Sequence, residues 1–235
     1  MKPMTHGGMT ETARWYQEYY GRKGLNRNNL LHNPEVLFQT LALDVAIARC
    51  LRRAGLDETT ATVLDVGCGS GMSLSALIRL GFHMDNLVGV DQLANRVAVG
   101  RRRLPGLDLR EADARRLDIP DASFDLVLES TMFAQVTDAT VAAEIALEMR
   151  RVVKPTGFLL LADWRLKDPR DSRAGALPRA RVRMLFPGAT LLAVEPGALV
   201  PPVGRRLSRH APSLYFALQR LAPFLVGQVA YLLRP

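Results

Sequence analysis

The sequence predicts an α/β fold in which a parallel β-sheet is covered by helices on both faces, that is, a doubly wound sheet. Two observations carry this prediction. From about residue 60 onward, short apolar runs alternate with stretches of helical periodicity, which is typical of βαβ units. The first apolar run also ends in a glycine-rich turn directly before a helical stretch. With 235 residues, the chain is long enough for one sizeable hydrophobic core.

The N-terminal part of the chain, residues 1–58, is expected to form a helical cap on the main domain at 59–235, within one globular unit. Asn33 and Pro34 predict a helix start, because an N-cap side chain is followed by a proline suited to the first turn. Apolar residues then recur at helical spacing as far as Leu51, and the pattern ends at Gly55. We therefore expect a helix between these limits.

The elements of the main domain are predicted from the alternation of apolar runs and helical periodicity. The apolar runs predict strands at 62–66, 86–90, 107–110, 124–129, 157–163, 189–194 and near 227–233. The helical periodicity predicts helices around 71–81, 92–103, 138–153 and near 212–222. Residues 164–184 are polar and rich in arginine, and we expect them to form a long loop.

The N-terminus and the cysteine content bear on where the chain works. The first twenty residues have no apolar core, which argues against a secretory signal. Cys50 and Cys68 are too few for a disulfide framework and suit a reducing compartment. We therefore expect a cytoplasmic protein, and no spacing of histidine, cysteine and aspartate predicts a metal site.

The most apolar stretch of the chain lies at 211–233, where polar residues and a proline interrupt it. A membrane-spanning helix needs about 20 largely uninterrupted apolar residues, so we interpret this stretch as core helix and strand. Contact of its helical half with a membrane surface is left open.

The net charge is +8, and nearly all of the basic residues are arginines. One interpretation is a solvated basic surface, and another is attraction of an anionic substrate through forked guanidinium contacts to phosphate or carboxylate. A third interpretation is that the basic residues bind nucleic acid. The arginine runs lack the interleaved aromatic residues that stack on bases, which argues against nucleic acid as a partner.

The strongest motif is VLDVGCGSG at 63–71, an apolar strand that ends in an acid and a glycine-rich turn. A dinucleotide site of the GxGxxG type is the obvious competitor. Here the third glycine would be needed at Met72, and the spacing is GxGxG instead. Asp65 precedes the first glycine and would repel a pyrophosphate, whereas it attracts a ligand with a positive amino group and a sulfonium.

Further acids stand at the ends of the next two predicted strands. Asp91 lies after the second strand, 26 residues beyond Asp65, where a carboxylate can accept both hydroxyls of an adenosine ribose. Asp113 lies after the third strand, where an acid can accept the amino group of adenine. A single aspartate after a strand is more often a turn residue, but several such signals in this order favour a nucleoside site.

These motifs together resemble those of the class I S-adenosylmethionine-dependent methyltransferases over about residues 60–165. The resemblance implies a Rossmann-like seven-stranded sheet of order 3-2-1-4-5-7-6 in which only the last strand is antiparallel. It also implies S-adenosylmethionine as cofactor and S-adenosylhomocysteine as product. The predicted cofactor site comprises Asp65, Gly67, Cys68 and Gly69 for the methionine part, Asp91 for the ribose, Gln92, Asp113 and Ala114 for the adenine, and Glu129. Thr156 departs from the family, which usually has glycine there, at a turn remote from the cofactor.

A weaker resemblance links other parts of the chain to a group of uncharacterised bacterial methyltransferases. It rests on residues 33–38, 129–133, 185–188 and 199–207. Some members of that group lie beside genes for surface polysaccharides or secondary metabolites, which implies a sugar-like hydroxyl acceptor.

The residues after the fourth predicted strand narrow the chemistry of the acceptor. Methyltransferases of amides or base amines often carry Asn/Asp-Pro-Pro-aromatic there, whereas this chain has Glu-Ser-Thr-Met-Phe at 129–133. A small-molecule hydroxyl is therefore favoured, and its proton needs a base. We expect Asp163 at the end of the fifth strand to be that base, with Glu129 and His32 as further candidates. We also expect the arginine-rich loop after Asp163 to enclose the acceptor and to hold its anionic part through Arg170, Arg173, Arg179, Arg181 and Arg183. An RNA methyltransferase and a non-catalytic cofactor-binding protein remain the alternatives.

Overall fold

The computed structural model describes residues 29–167 and 175–235. Its helices are α1 (Pro34–Ala54), α2 (Met72–Arg79), α3 (Ala94–Arg103), α4 (Ala139–Val152), α5 (Arg179–Leu185), α6 (Pro201–His210) and α7 (Leu214–Leu221). Its strands are β1 (Val63–Val66), β2 (Leu87–Asp91), β3 (Asp108–Glu111), β4 (Phe124–Ser130), β5 (Val153–Trp164), β6 (Thr190–Pro196) and β7 (Gln228–Arg234). Short 3₁₀ turns precede β2 at Met84–Asn86 and β7 at Pro223–Leu225.

The seven strands form one sheet of order β3-β2-β1-β4-β5-β7-β6. The pairs between β3 and β5 are parallel, and β7 runs antiparallel to both of its neighbours. This order confirms the sheet that the resemblance to a known family implies. In such a sheet the carboxyl ends of β1, β2, β4 and β5 lie along one edge, where open α/β sheets bind their ligands.

Helices cover both faces of the sheet because its central strands are apolar on both sides. Every residue of β1 is buried. Val63 belongs to a core cluster with residues of α1, α2 and α3, whereas Leu64 belongs to a second cluster with residues of α4, α5 and α7. The alternation along the strand therefore places three helices on one face and the later helices on the other.

The first described helix confirms the bounds expected from Asn33, Pro34 and Gly55. Gly55 adopts a left-handed conformation with φ of +67°, and its N–H donates to the carbonyl of Leu51. This is a common way to end a helix with glycine. Helix α1 packs against α6 and against β5, β6 and β7, so it lies directly on the sheet. The division of the chain at residue 58 stays a prediction, and residues 1–28 lie outside the described residues.

Two helices were not predicted. The loop expected over 164–184 is wrong from Arg179 onward, because α5 begins there directly after Pro178. Helix α6 begins after Val200 with Pro201 and Pro202 in its first turn. Prolines fit that position because the missing N–H has no partner within the helix, and this signal could have predicted the helix.

None of the described helices is long and apolar enough to span a bilayer. Residues 211–233 instead comprise α7, a 3₁₀ turn and the buried strand β7. The interpretation of this stretch as helix and strand is therefore confirmed.

Candidate functional site

The glycine-rich turn after β1 is held against the end of β2. The N–H groups of Gly67 and Cys68 both donate to the carbonyl of Val90, over 2.8 and 3.0 Å. Gly67 and Gly69 have φ values of +76° and +56°, which residues with a Cβ rarely adopt. The turn can therefore bring its backbone close to a ligand at the sheet edge.

Asp65 is completely buried in β1, next to this turn. Among the described residues, neither of its carboxylate oxygens has a hydrogen-bond partner. Burial and the neighbouring Asp91 carboxylate raise the pKa of Asp65 to about 8. A buried carboxylate without a counter-charge is unfavourable, so this position favours a cationic group of a ligand.

The Asp91 carboxylate at the end of β2 joins the glycine turn to the start of α3. One oxygen accepts the N–H of Gly69 over 2.8 Å, and the other accepts the N–H of Leu93 over 2.8 Å. Each carboxylate oxygen has a second lone pair, so these two bonds fix the side chain and leave acceptor capacity toward a ligand.

Glu129 at the end of β4 lies between β1 and β5 in the sheet, opposite Val66 and Leu161. It is fully buried, and its Oε2 accepts the N–H of Met132 over 2.9 Å. Its Oε1 has no hydrogen-bond partner among the described residues. Burial and the nearby Asp163 carboxylate raise the pKa of Glu129 well above its usual range.

Asp163 near the end of β5 is also fully buried, and burial raises its pKa to about 7. One oxygen accepts the N–H of Ala134 and the other accepts the N–H of Trp164, both over 2.7 Å. Asp163 thus fixes the turn at residues 131–136, which comes directly after β4, to the neighbouring strand. Asp163 and Glu129 hold this turn from two sides.

Arg181 of α5 holds the carbonyl groups of the same turn. Its guanidinium donates to the carbonyls of Phe133 and Val136, and also to that of Ala176. The positive charge of Arg181 also lowers the pKa of Asp163, against the larger effect of burial. Arg181 is one of the arginines that were expected to hold an anionic acceptor, and it contacts the protein's own backbone instead.

The turn at residues 131–136 also covers part of the glycine-rich turn. A Cβ at Gly67 would lie 3.0 Å from Cγ and Sδ of Met132, so the methionine side chain covers this glycine. Phe133 is fully buried and packs edge-on against Phe186, with ring centroids 6.0 Å apart. Of the two bulky residues, Met132 borders the candidate site and Phe133 belongs to the core.

The other predicted site residues differ in their position relative to this edge of the sheet and in their exposure. The N–H of Ala112 donates to the carbonyl of Asp91, which brings the segment with Asp113 and Ala114 beside β2. Asp113 is exposed, and hydrogen bonds from Arg115 lower its pKa. Gln92 is exposed directly after Asp91, Cys68 is buried with its thiol against Gly89, and His32 is exposed in the turn before α1.

Arg96 was not predicted as a site residue. This side chain of α3 lies over the glycine turn, since a Cβ at Gly69 would be 2.7 Å from one of its terminal nitrogens. No motif marks Arg96, because its proximity depends on how α3 packs. Arg170 and Arg173, which were expected to hold the acceptor, lie outside the described residues.

Comparison with known proteins agrees with this arrangement. A family model described as a methyltransferase domain matches residues 64–161, which span β1 to most of β5 and include the glycine turn. The chain therefore contains a methyltransferase domain, and the sheet has the strand order that the resemblance to class I S-adenosylmethionine-dependent methyltransferases implies. The recognition made from the glycine motif and its companion acids is therefore confirmed.

The curated relatives that the chain matches are named as methyltransferases of different small molecules. A 2-methyl-6-phytyl-1,4-hydroquinone methyltransferase of Synechocystis is 38% identical over 47% of this chain and 34% of its own length. A demethylmenaquinone methyltransferase of Beutenbergia cavernae is 36% identical over 52% of this chain and 50% of its own length. A fatty-acid O-methyltransferase of Mycolicibacterium smegmatis is 30% identical over 70% of this chain and 56% of its own length. The chain thus spans about half or less of the length of these relatives.

Solved structures share the fold of this chain at low sequence identity. The magnesium protoporphyrin IX methyltransferase of Synechocystis, crystallised with S-adenosylmethionine, is similar over 97% of this chain and 98% of its own, with a TM-score of 0.65 and 12% identity. A protein of Pyrococcus horikoshii covers 97% of this chain and is itself covered completely, with a TM-score of 0.58 and 17% identity.

Proposed function

We propose that this chain transfers the methyl group of S-adenosylmethionine to a small-molecule acceptor. The observation that carries the proposal is the buried Asp65 carboxylate beside the glycine turn, which has no hydrogen-bond partner among the described residues. The α-amino group of the cofactor would supply the missing cation. The left-handed Gly67 and Gly69 give the cofactor the close approach to the backbone that this placement requires.

The bound cofactor supplies an electrophilic methyl group on its sulfonium. The chain then has to align the acceptor, exclude water and, for a hydroxyl, remove its proton. Met132 beside Gly67 is placed to exclude water, and the Asp91 carboxylate retains lone pairs for the ribose hydroxyls. Asp113 and Ala114 are the proposed neighbours of the adenine.

We further propose that the acceptor group is a hydroxyl of a sugar-like or secondary-metabolite compound that can carry negative charge. Glu129 and Asp163 support this proposal because both carboxyl groups lie at the sheet edge and both have raised pKa values. A carboxylate with a raised pKa is a stronger base. The contacts favour Glu129 over Asp163 for this role, because Glu129 Oε1 has no hydrogen-bond partner among the described residues. His32 is the third candidate.

The cationic interaction at Asp65 predicts that cofactor binding releases a proton. At pH 7 a carboxyl group with a pKa of about 8 is mostly protonated, and it must ionise to pair with the ammonium group. Calorimetry of S-adenosylhomocysteine binding in buffers of different ionisation enthalpy should therefore show the release of nearly one proton. Asp65→Asn should release none and should bind about 10- to 100-fold more weakly, as expected for loss of a charged hydrogen bond.

Asp85→Asn is the matched control for this measurement, because Asp85 is an exposed acid in the 3₁₀ turn before β2. It should bind and release protons as the unsubstituted chain does. Equal affinity of Asp65→Asn and the unsubstituted chain, without proton release in either, would remove Asp65 from the cofactor site and with it the proposed function.

The base is tested with methyl-labelled cofactor and a panel of hydroquinones, hydroxylated sugars, fatty acids and bulk RNA. We expect labelling of a hydroxyl or anionic small molecule and none of RNA. On the acceptor that is labelled, Glu129→Gln should lower kcat by about 10²-fold with nearly unchanged affinity for S-adenosylhomocysteine. A general base acts only when it is ionised, so the kcat of the unsubstituted chain should rise with pH through the pKa of Glu129. Glu129→Gln should remove this rise.

Asp163→Asn on the same acceptor separates the two carboxylates. If Asp163 is the base, Asp163→Asn shows the loss of kcat and the altered pH profile. Glu129→Gln then keeps the kcat and the pH profile of the unsubstituted chain. If both variants keep full turnover, the base is His32 or another residue. Labelling of RNA alone would contradict the small-molecule proposal.

We also propose a cytoplasmic location. Cys50 and Cys68 are both buried free thiols. Burial raises the pKa of the Cys50 thiol to about 12, which keeps it protonated and unreactive. Free cysteines of this kind suit a reducing compartment.

A further inference from the structure

Large apolar side chains are exposed on α7 and in the turn after it. Leu214 and Leu221 lie seven residues apart on one helix face and are 55% and 82% exposed. Phe224 in the next turn is 73% exposed. We call Leu214, Leu221 and Phe224 the apolar patch. Tyr215 and Gln219 of α7 are buried, so the helix has a free apolar side and another side that is anchored in the protein.

The surroundings of the apolar patch are cationic. No aspartate or glutamate occurs from residue 196 to the end of the chain. Arg206 and Arg209 of the adjacent helix α6 are exposed and line a groove with Pro202, Arg205 and His210. Arg220 is exposed on α7 itself. Of these arginines, Arg205 contacts an acid, Glu35 of α1.

The apolar patch lies near the carboxyl edge of the sheet, where the candidate site is. Arg165 comes directly after β5, and its guanidinium donates to the carbonyls of Pro223 and Val226. Its backbone N–H donates to the carbonyl of Gly227 over 2.9 Å. The turn that carries Phe224 is therefore attached to the strand that carries Asp163.

We propose that the apolar patch and its arginines bind the surface of an anionic lipid bilayer. Leucine and phenylalanine side chains insert between lipid headgroups, and Arg206, Arg209 and Arg220 contact the lipid phosphates. This combination of one apolar face and basic flanks is that of an interfacial helix. A second copy of the chain would bring the same arginines face to face, where they repel each other, so an anionic surface is the occupant that the charges favour.

Binding to lipid needs neither cofactor nor acceptor, so it is measured independently of the proposed methyl transfer. The full chain is sedimented with vesicles of phosphatidylcholine alone or of phosphatidylcholine mixed with phosphatidylglycerol. We expect binding to the mixed vesicles, weaker binding as salt is raised, and little binding to the neutral vesicles.

Variants separate the apolar and the ionic contributions. Leu221→Ser with Phe224→Ser should lower partition into mixed vesicles by roughly tenfold or more, because two inserting side chains are lost. Arg206→Gln with Arg209→Gln should lower it by roughly 10- to 30-fold and reduce its salt dependence. All variants should keep the affinity for S-adenosylhomocysteine, which shows that they are folded.

Two control variants match these changes elsewhere on the surface. Leu147→Ser with Met184→Ser replaces two apolar side chains that are 68% and 73% exposed on α4 and α5. Arg102→Gln with Arg103→Gln replaces two exposed arginines at the end of α3. Both controls should bind mixed vesicles as the unsubstituted chain does, apart from a small charge effect for the arginine pair.

Several outcomes would overturn the proposal. One is absence of binding to mixed vesicles, and another is equal binding to both kinds of vesicle. A third is an equal loss in the patch variants and in their controls. The proposal also fails if ultracentrifugation without lipid shows a dimer that Leu221→Ser with Phe224→Ser dissociates. The patch would then be covered by protein.

Discussion

Gly67→Val is expected to abolish cofactor binding in a chain that still folds. Gly67 has φ of +76°, where a residue with a Cβ loses roughly 1–2 kcal/mol. The new Cβ would lie 3.0 Å from Cγ and Sδ of Met132, and these atoms belong to a flexible side chain that can move aside. Folding is therefore only weakened. The branched valine would, however, occupy the space in which the turn approaches the cofactor.

The measurement is calorimetry with S-adenosylhomocysteine, together with a thermal melt of the free protein. We expect a loss of affinity of at least about 100-fold, which corresponds to about 2.7 kcal/mol or more. Gly188→Val is the matched control, because Gly188 has φ of +81° and a Cβ added there would have no atom within 4 Å. It introduces the same backbone strain far from the turn. If Gly67→Val binds the ligand as Gly188→Val does, the turn does not contact the cofactor.

Arg181→Met is expected to cause the largest loss of folding stability among the proposed variants. Methionine keeps much of the length of the side chain but removes all donors to the carbonyls of Phe133, Ala176 and Val136. It also removes the positive charge near the buried Asp163 and Glu129. Because the Arg181 side chain is partly exposed, water replaces some of these interactions, and we expect a cost of about 2–4 kcal/mol.

Denaturant unfolding of the cofactor-free protein measures this cost as the free energy of unfolding. Arg183→Met is the matched control, because Arg183 is exposed on the same helix two residues away. It should change the free energy of unfolding by less than about 0.5 kcal/mol. Equal stability of Arg181→Met and Arg183→Met would show that the turn at 131–136 does not depend on the arginine. Arg181 would then be available to an anionic acceptor, as its place in the arginine-rich segment had suggested.

The sheet and the glycine turn could be predicted because their signals are local. The apolar run at β1, the acid Asp65 and the glycines lie within nine consecutive residues. Each strand end with an acid, as at Asp91, repeats the same local pattern. Since a parallel sheet brings the carboxyl ends of its strands to one edge, the sequence order of these acids also predicts their proximity.

The helices α5 and α6 were harder to predict because their apolar faces are short. Arginine-rich composition suggested a loop before Arg179, although arginine itself is a good helix former. In α6 the proline pair at Pro201 and Pro202 was the one local signal. Helix α5 packs against α4, and helix α6 packs against α1 and α7. A sequence pattern does not display such packing.

The amino-acid sequence was enough to predict the α/β fold and the acids that stand at the strand ends, and the resemblance of its motifs to a known family implied the strand order and the cofactor. The contacts of those acids depend on the tertiary structure. It leaves Asp65 and one oxygen of Glu129 without hydrogen-bond partners among the described residues, and it binds both oxygens of Asp163 to the backbone. The bonds from Asp163 to Ala134 and from Arg181 to the turn join residues that are 29 and 45 to 48 positions apart in the chain. Such contacts depend on how strands and helices pack, and packing is a property of the whole fold rather than of any local pattern.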